Sequence, residues 1–204
     1  LQESFFFFYN DQKPGEQKSH GNRAHAKGVT FFGKTSGFWL VHSVPRFPSI
    51  KKYSYPENAE VYGQSFLCVT MKTESIGAFA EAMKYIGPAA YHMNLPEYFS
   101  DRFPFLKELK ILRSKKNINS SLIQTFNSIG GLKFYDFLKT KKFDRDLYMD
   151  FIAKTMGISL FTETWMNGGA IDLNSECETS HKISYFHLNF KNQILFHSTN
   201  KIQK

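Results

Sequence analysis

The stretch HAKGVTFFGKTSGFWLVHSVPRFP, residues 25–48, decides the reading of the chain. It contains two apolar, aromatic-rich runs, 25–32 and 37–43, joined by Gly33-Lys34-Thr35-Ser36-Gly37. Such runs on either side of a glycine-bounded turn predict a β-hairpin. The two prolines of VPRFP then stop the second strand, because proline cannot donate to a sheet ladder. Three polar side chains, His25, Lys27 and His42, sit in this apolar setting. Polar groups among buried strands cost free energy unless they are paired or functional. Residues two apart on a strand share a face, so His25 and Lys27 project side by side. Two registers fit the turn: one sets Lys27 opposite Ser43, the other opposite His42, and a one-residue slip exchanges faces.

Working outward, FFFFY in residues 4–9 predicts a buried strand, and residues 10–24 a polar loop. A further strand is expected over residues 64–71. A helix over 73–85 is favoured by three alanines and ended by Gly87-Pro88. AAYHMNL predicts a short strand and PEYFSDRF a short helix, while the lysine-rich segment 107–116 reads as a solvated face. Residues 121–127 and 132–138 form a second strand pair around Gly130-Gly131. A helix starts at Asp144 or Asp146 and ends at Gly157. ISLFTETW and two further candidates, 183–190 and 193–197, are strands. The pattern predicts an α/β fold, a mixed β-sheet flanked by helices, in a single domain over residues 1–204.

Composition agrees with a globular chain: 42% hydrophobic, 22% charged and 17% aromatic residues, with 22 phenylalanines. No apolar run is long enough to span a bilayer as a helix. The net charge of +8 favours an anionic partner such as nucleic acid. Two distant cysteines, Cys68 and Cys177, make neither a metal site nor a disulfide framework by themselves. Asn119-Ser120-Ser121 is a sequon, glycosylated if the chain is secreted.

An imidazole and an ammonium on one strand face suit phosphoryl chemistry. Lysine offsets charge on the phosphoryl oxygens. Histidine attacks phosphorus or protonates the leaving oxygen. No cofactor is called for, and no carboxylate cluster of the kind magnesium needs is apparent.

The blocks HAKGV…GFWLVHSVPRFP, YGQSFLCV (62–69), FFFFYNDQ and FDRDLYMDFIAKTMGISLF closely resemble the deoxyribonuclease II family, over residues 4 to 197. That family belongs to the phospholipase D superfamily, whose two halves each give one H-x-K to a shared site. The resemblance implies a phospholipase D-like half plus part of the second half, incomplete at both ends. It implies an acid endonuclease, lysosomal or secreted, that cuts DNA without metal and leaves 3′-phosphates. One histidine forms a phosphohistidine and the other serves as acid and base. His25 and Lys27 match the first H-x-K, and His42-Ser43 the place of a phosphate-supporting pair. Gly33 stands where members often carry an acidic residue. Cys68 and Cys177 match family cysteines whose partners lie outside these residues, so both are expected as unpaired thiols.

These 204 residues contain no second H-x-K: His197 and Lys201 are too far apart, and His181-Lys182 are adjacent. The chain is therefore expected to complete its site as a homodimer on DNA, to be a catalytically impaired relative that binds nucleic acid or a protein partner, or to be a truncated product with no defined activity of its own.

Overall fold

The computed structural model describes residues 2–112, 119–140, 142–162, 175–177 and 182–185. They fall in two compact units that meet in sequence at Lys141 and Lys142.

The first unit is built on a five-stranded sheet in the order β4-β3-β2-β1-β5. Its strands are β1 (Phe5–Asn10), β2 (Lys27–Phe32), β3 (Ser36–His42), β4 (Phe66–Lys72) and β5 (Ala90–Asn94). Every neighbouring pair in this sheet is antiparallel. Mixed pairing occurs instead in the second unit. The hairpin predicted from residues 25–43 forms, with Gly28 paired to Val41. That register sets Lys27 across from His42, and on the other side Lys27 pairs with Asn10.

The FFFFY run alternates rather than being buried throughout. Phe5, Phe7 and Tyr9 are sealed in the core, while Phe6 and Phe8 face the half-covered side of the sheet. Two glycines make room for the inward aromatics. A Cβ on Gly28 would collide with the Tyr9 hydroxyl, and one on Gly37 with the Phe32 ring. Tyr9 and Phe32 are the cross-strand partners of these glycines, so each ring lies flat across the neighbouring strand.

Helix α1 (Ile76–Ile86) closes the core with Ile76, Phe79, Ala80, Ala82 and Met83, and ends on left-handed Gly87. Phe79 meets Phe5, Phe7 and Trp39 edge-on, geometry that adds to apolar burial. Beyond β5 come α2 (Glu97–Arg102) and a 3-10 turn (Pro104–Ile111). Within the segment expected to present a solvated face from residue 107, Leu109 is buried, as is Leu106 just before it. The β6 (Ser121–Asn127) and β7 (Lys133–Lys139) hairpin lays Leu122, Phe126, Phe134 and Leu138 on the same core.

In the second unit a π-helical turn (Tyr148–Ala153) continues as α3 (Lys154–Met156) and ends on left-handed Gly157. The Asp146 carboxylate accepts the Tyr148 and Met149 amide protons at 2.8 and 2.6 Å, satisfying donors that a helix start leaves open. Strands β8 (Leu160–Thr162), β9 (Glu176–Cys177) and β10 (Lys182–Tyr185) form a sheet in the order β8-β10-β9, with β8 and β10 parallel and β9 antiparallel. The strand expected over 193–197, together with His181, His197 and Lys201, lies outside the described residues. No helix among the described residues is long and apolar enough to cross a membrane.

Candidate active site

The site forms where β1 ends and β2 begins. Asn10 closes β1 and is fully buried. Its side-chain amide donates to the carbonyls of Val44 and Phe47, both at 3.0 Å, and its carbonyl oxygen accepts the Gln12 amide proton at 2.9 Å. These bonds pin the proline-broken segment after β3 beside the start of the 10–26 loop. Arg46 joins the same seam: its amide donates to the Gln12 carbonyl at 2.8 Å, from a left-handed backbone conformation (φ 57°).

The next residue, Asp11, organises the site. Its carboxylate is buried and takes two side chains from the far end of the loop. His25 Nδ1 lies 2.8 Å from one oxygen, and Lys27 Nζ 2.5 Å from the other. Burial by itself pushes this carboxyl up. The hydrogen bonds from His25 and Lys27, together with their charges, outweigh it and hold the group down at about 2. Asp11 is therefore ionised across the range in which a histidine titrates, and an ionised carboxylate only accepts. The shared proton belongs on His25 Nδ1, which leaves the lone pair of the neutral ring on Nε2. The two residues are exposed very differently. The His25 side chain is 46% exposed, whereas that of Lys27 is 5% exposed. His25 offers its ring to solvent, while the Lys27 charge is spent largely on Asp11. His25 also precedes β2 rather than lying in it, as a tight bond from the Ala26 amide to the Ala24 carbonyl (2.8 Å) turns the chain there.

His42 and Ser43, expected to support a phosphate, lie at and just beyond the end of β3. His42 lies across from Lys27 but is completely buried, between the rings of Phe47 and Phe66 at 5.6 and 5.8 Å. Its Nδ1 accepts the Val44 amide proton at 3.2 Å. The Ser43 hydroxyl donates to the Gln64 side-chain oxygen at 2.5 Å and accepts the Ser65 amide proton at 2.9 Å. These bonds hold both side chains at the end of the β3–β4 pair.

Cys68 is an exposed, unbridged thiol on β4, and burial of part of its surface pushes it up. Cys177 lies in β9, and its side chain is outside those described. Asn119 is exposed just before β6.

Asp11 was not legible as a site residue. It sits in a polar loop, 14 and 16 residues from its partners, and no periodicity links the three. The one available hint was chemical: a buried lysine beside an apolar hairpin needs a carboxylate.

A histidine with one ring nitrogen held by a buried carboxylate and the other open is the layout of histidine-based nucleophilic and acid–base centres. The chain belongs to the deoxyribonuclease II family: the family described as Deoxyribonuclease II matches residues 2–203. It is 39% identical over 182 residues to cell-death-related nuclease 7 of Caenorhabditis elegans, covering 87% of this chain and 48% of that protein. It is 39% identical over 175 residues to plancitoxin-1 of Acanthaster planci, covering 83% and 48%. With deoxyribonuclease-2-alpha of Rattus norvegicus it shares 38% identity over 187 residues, covering 87% and 52%. The chain spans about half the length of these relatives.

Proposed function

We propose that residues 10–48 carry one half of a phospholipase D-like site that cleaves DNA phosphodiesters at acid pH without a metal ion, in a lysosomal or secreted protein. The observation that carries this reading is the 2.8 Å contact of His25 Nδ1 with the buried Asp11 carboxylate, which leaves the rest of the ring accessible. In the scheme a histidine nitrogen bonds to phosphorus while the bond from phosphorus to the 5′-oxygen breaks. The leaving oxygen takes a proton from a second imidazole. Water then attacks the phosphohistidine, giving up its proton to that second imidazole, and the nitrogen–phosphorus bond breaks to leave a 3′-phosphate and a 5′-hydroxyl. Asp11, bonded to His25 Nδ1, steadies the positive charge that the His25 ring carries in whichever of the two roles it takes.

One imidazole cannot serve as nucleophile and leaving-group acid in the same step. The second comes from another copy of this chain or from polypeptide outside these residues. The burial of Lys27 against Asp11 supports a second reading for the 204-residue chain alone: a DNA-binding but catalytically weak unit.

Plasmid nicking at about pH 5 in EDTA, near where histidine acid–base chemistry operates, separates these readings. Nicking that His25→Ala abolishes supports the hydrolase. Equal nicking by both proteins overturns a catalytic role for His25. DNA binding without nicking by either supports the weak unit.

A further inference from the structure

The site as built has almost no charge left for its substrate. Asp11 and Lys27 cancel, at 2.5 Å. A phosphodiester arriving at His25 therefore needs cations from elsewhere. A cleft of about 320 Å³ opens beside the site, lined in part by Lys13, His20, Arg23, Ala89 and Lys110. That volume lies at the small end of the range for ligand sites. Among the described residues no carboxylate pairs with Lys13, Arg23 or Lys110. Glu16 engages His20 instead, at 2.7 Å. Arg23 is held in place by a 2.6 Å bond from Nη1 to the Leu112 carbonyl, with the other face of the guanidinium left over.

The cleft is tied to the site through the backbone. Lys13 follows Asp11 by two residues, and Arg23 precedes His25 by two. The Asn10 amide donates to the carbonyl of Ala89 in the cleft wall at 2.9 Å, and Ala24 bridges Pro88. Two residues of the cleft wall, Lys13 and Arg23, therefore lie two residues along the chain from Asp11 and from His25.

We propose that Lys13, Arg23 and Lys110 form a second phosphate subsite, which grips a neighbouring backbone phosphate of a DNA strand and so lays the scissile phosphate over His25. This rests on the nuclease reading and gives it a substrate track. The subsite is assigned to phosphodiester oxygens because Lys13, Arg23 and Lys110 are all cations, although Asn22 and His20 also line the cleft.

The test uses His25→Ala protein, so that DNA stays intact, and a short single-stranded oligodeoxynucleotide whose affinity is measured by fluorescence anisotropy over a range of salt. Lys13→Ala/Lys110→Ala is added to one sample. Lys72→Ala/Lys133→Ala, an equal loss of charge on β4 and β7, is added to another. Each lost phosphate contact reduces the slope of log affinity against log salt by about 0.7 for a single strand. The cleft pair is expected to flatten the slope by about 0.7 to 1.4, and the control pair to leave it unchanged. Equal slopes for the two pairs overturn the subsite and leave the nuclease reading standing. Failure of the His25→Ala protein itself to bind the oligonucleotide overturns both. Inorganic phosphate, added as competitor, is expected to displace oligonucleotide from the control pair more readily than from the cleft pair; equal displacement counts against the subsite.

Discussion

Substituting Asp136 with asparagine should remove the loss of stability that this carboxyl causes as pH rises from about 4 to about 7. Asp136 lies on β7, on the same inward face as Phe134 and Leu138, and pairs across the hairpin with Gln124. The Gln124 amide donates to the Asp136 carboxylate at 2.8 Å and to the Ala78 carbonyl of α1 at 2.8 Å. Burial pushes the Asp136 carboxyl up to about 6, against a usual 3.8, and the Gln124 bond only partly offsets this. Because the folded value is raised, the folded state binds more protons than the unfolded chain between those two values. Stability is therefore fullest below pH 3.8 and falls as pH rises toward about 6. At about 1.4 kcal/mol per tenfold, the difference amounts to about 3 kcal/mol. The Tyr9 hydroxyl, which accepts the Trp39 indole proton at 3.0 Å, is pushed far up by burial and further by the charge of Asp136. The asparagine side chain would keep the shape and the Gln124 contact without the charge. Urea unfolding at a series of pH values reads the effect. Replacing Trp165 with phenylalanine leaves Trp39 as the only indole, so that its emission reports on the first unit. From about pH 4 to pH 7, the wild-type midpoint should fall relative to Asp136→Asn by the equivalent of about 3 kcal/mol. Parallel pH curves for the two proteins would refute the reasoning.

Asp11 acts in the opposite sense. Its folded value of about 2 against a usual 3.8 means that its contribution is present above pH 3.8 and lost as pH falls through about 2. Asp11→Asn leaves Lys27 buried without its counter-charge and should cost about 3 kcal/mol at neutral pH. The same urea titration should show that cost shrinking below about pH 3; a cost independent of pH would contradict the ion-pair assignment. Gly28→Ala drives a methyl into the Tyr9 hydroxyl and sets it 2.6 Å from the Leu40 carbonyl. It should destabilise by about 1–3 kcal/mol, seen as a lower thermal midpoint, and an unchanged midpoint would show that Tyr9 does not lie across β2.

Strand positions were legible in the sequence because aromatic and β-branched runs are bounded by glycine, proline and polar clusters. The register of the 25–43 hairpin was not. Both registers satisfy the turn, and the choice depends on Tyr9 and Phe32 lying over Gly28 and Gly37, a contact between strands. The Asp136 signal stood in the open: the alternation in KFYDFLK puts a carboxylate on the apolar face. The first H-x-K could be read from the chain, but its carboxylate could not, since Asp11 meets its partners only after a loop closes. His42 and Ser43 have polar chemistry suited to a phosphate. In the structure they contact Phe66 and Gln64.

The central claim is that Asp11 holds the His25 ring by Nδ1, leaving Nε2 for a DNA phosphate. Nitrogen-15 NMR of the His25 ring, with and without a short oligodeoxynucleotide, tests it most directly. A proton on Nδ1 in the neutral ring, and an Nε2 resonance that moves as DNA is added, are the expected results. DNA that binds while His25 Nε2 stays unmoved, or a neutral ring with its proton on Nε2, would contradict the account.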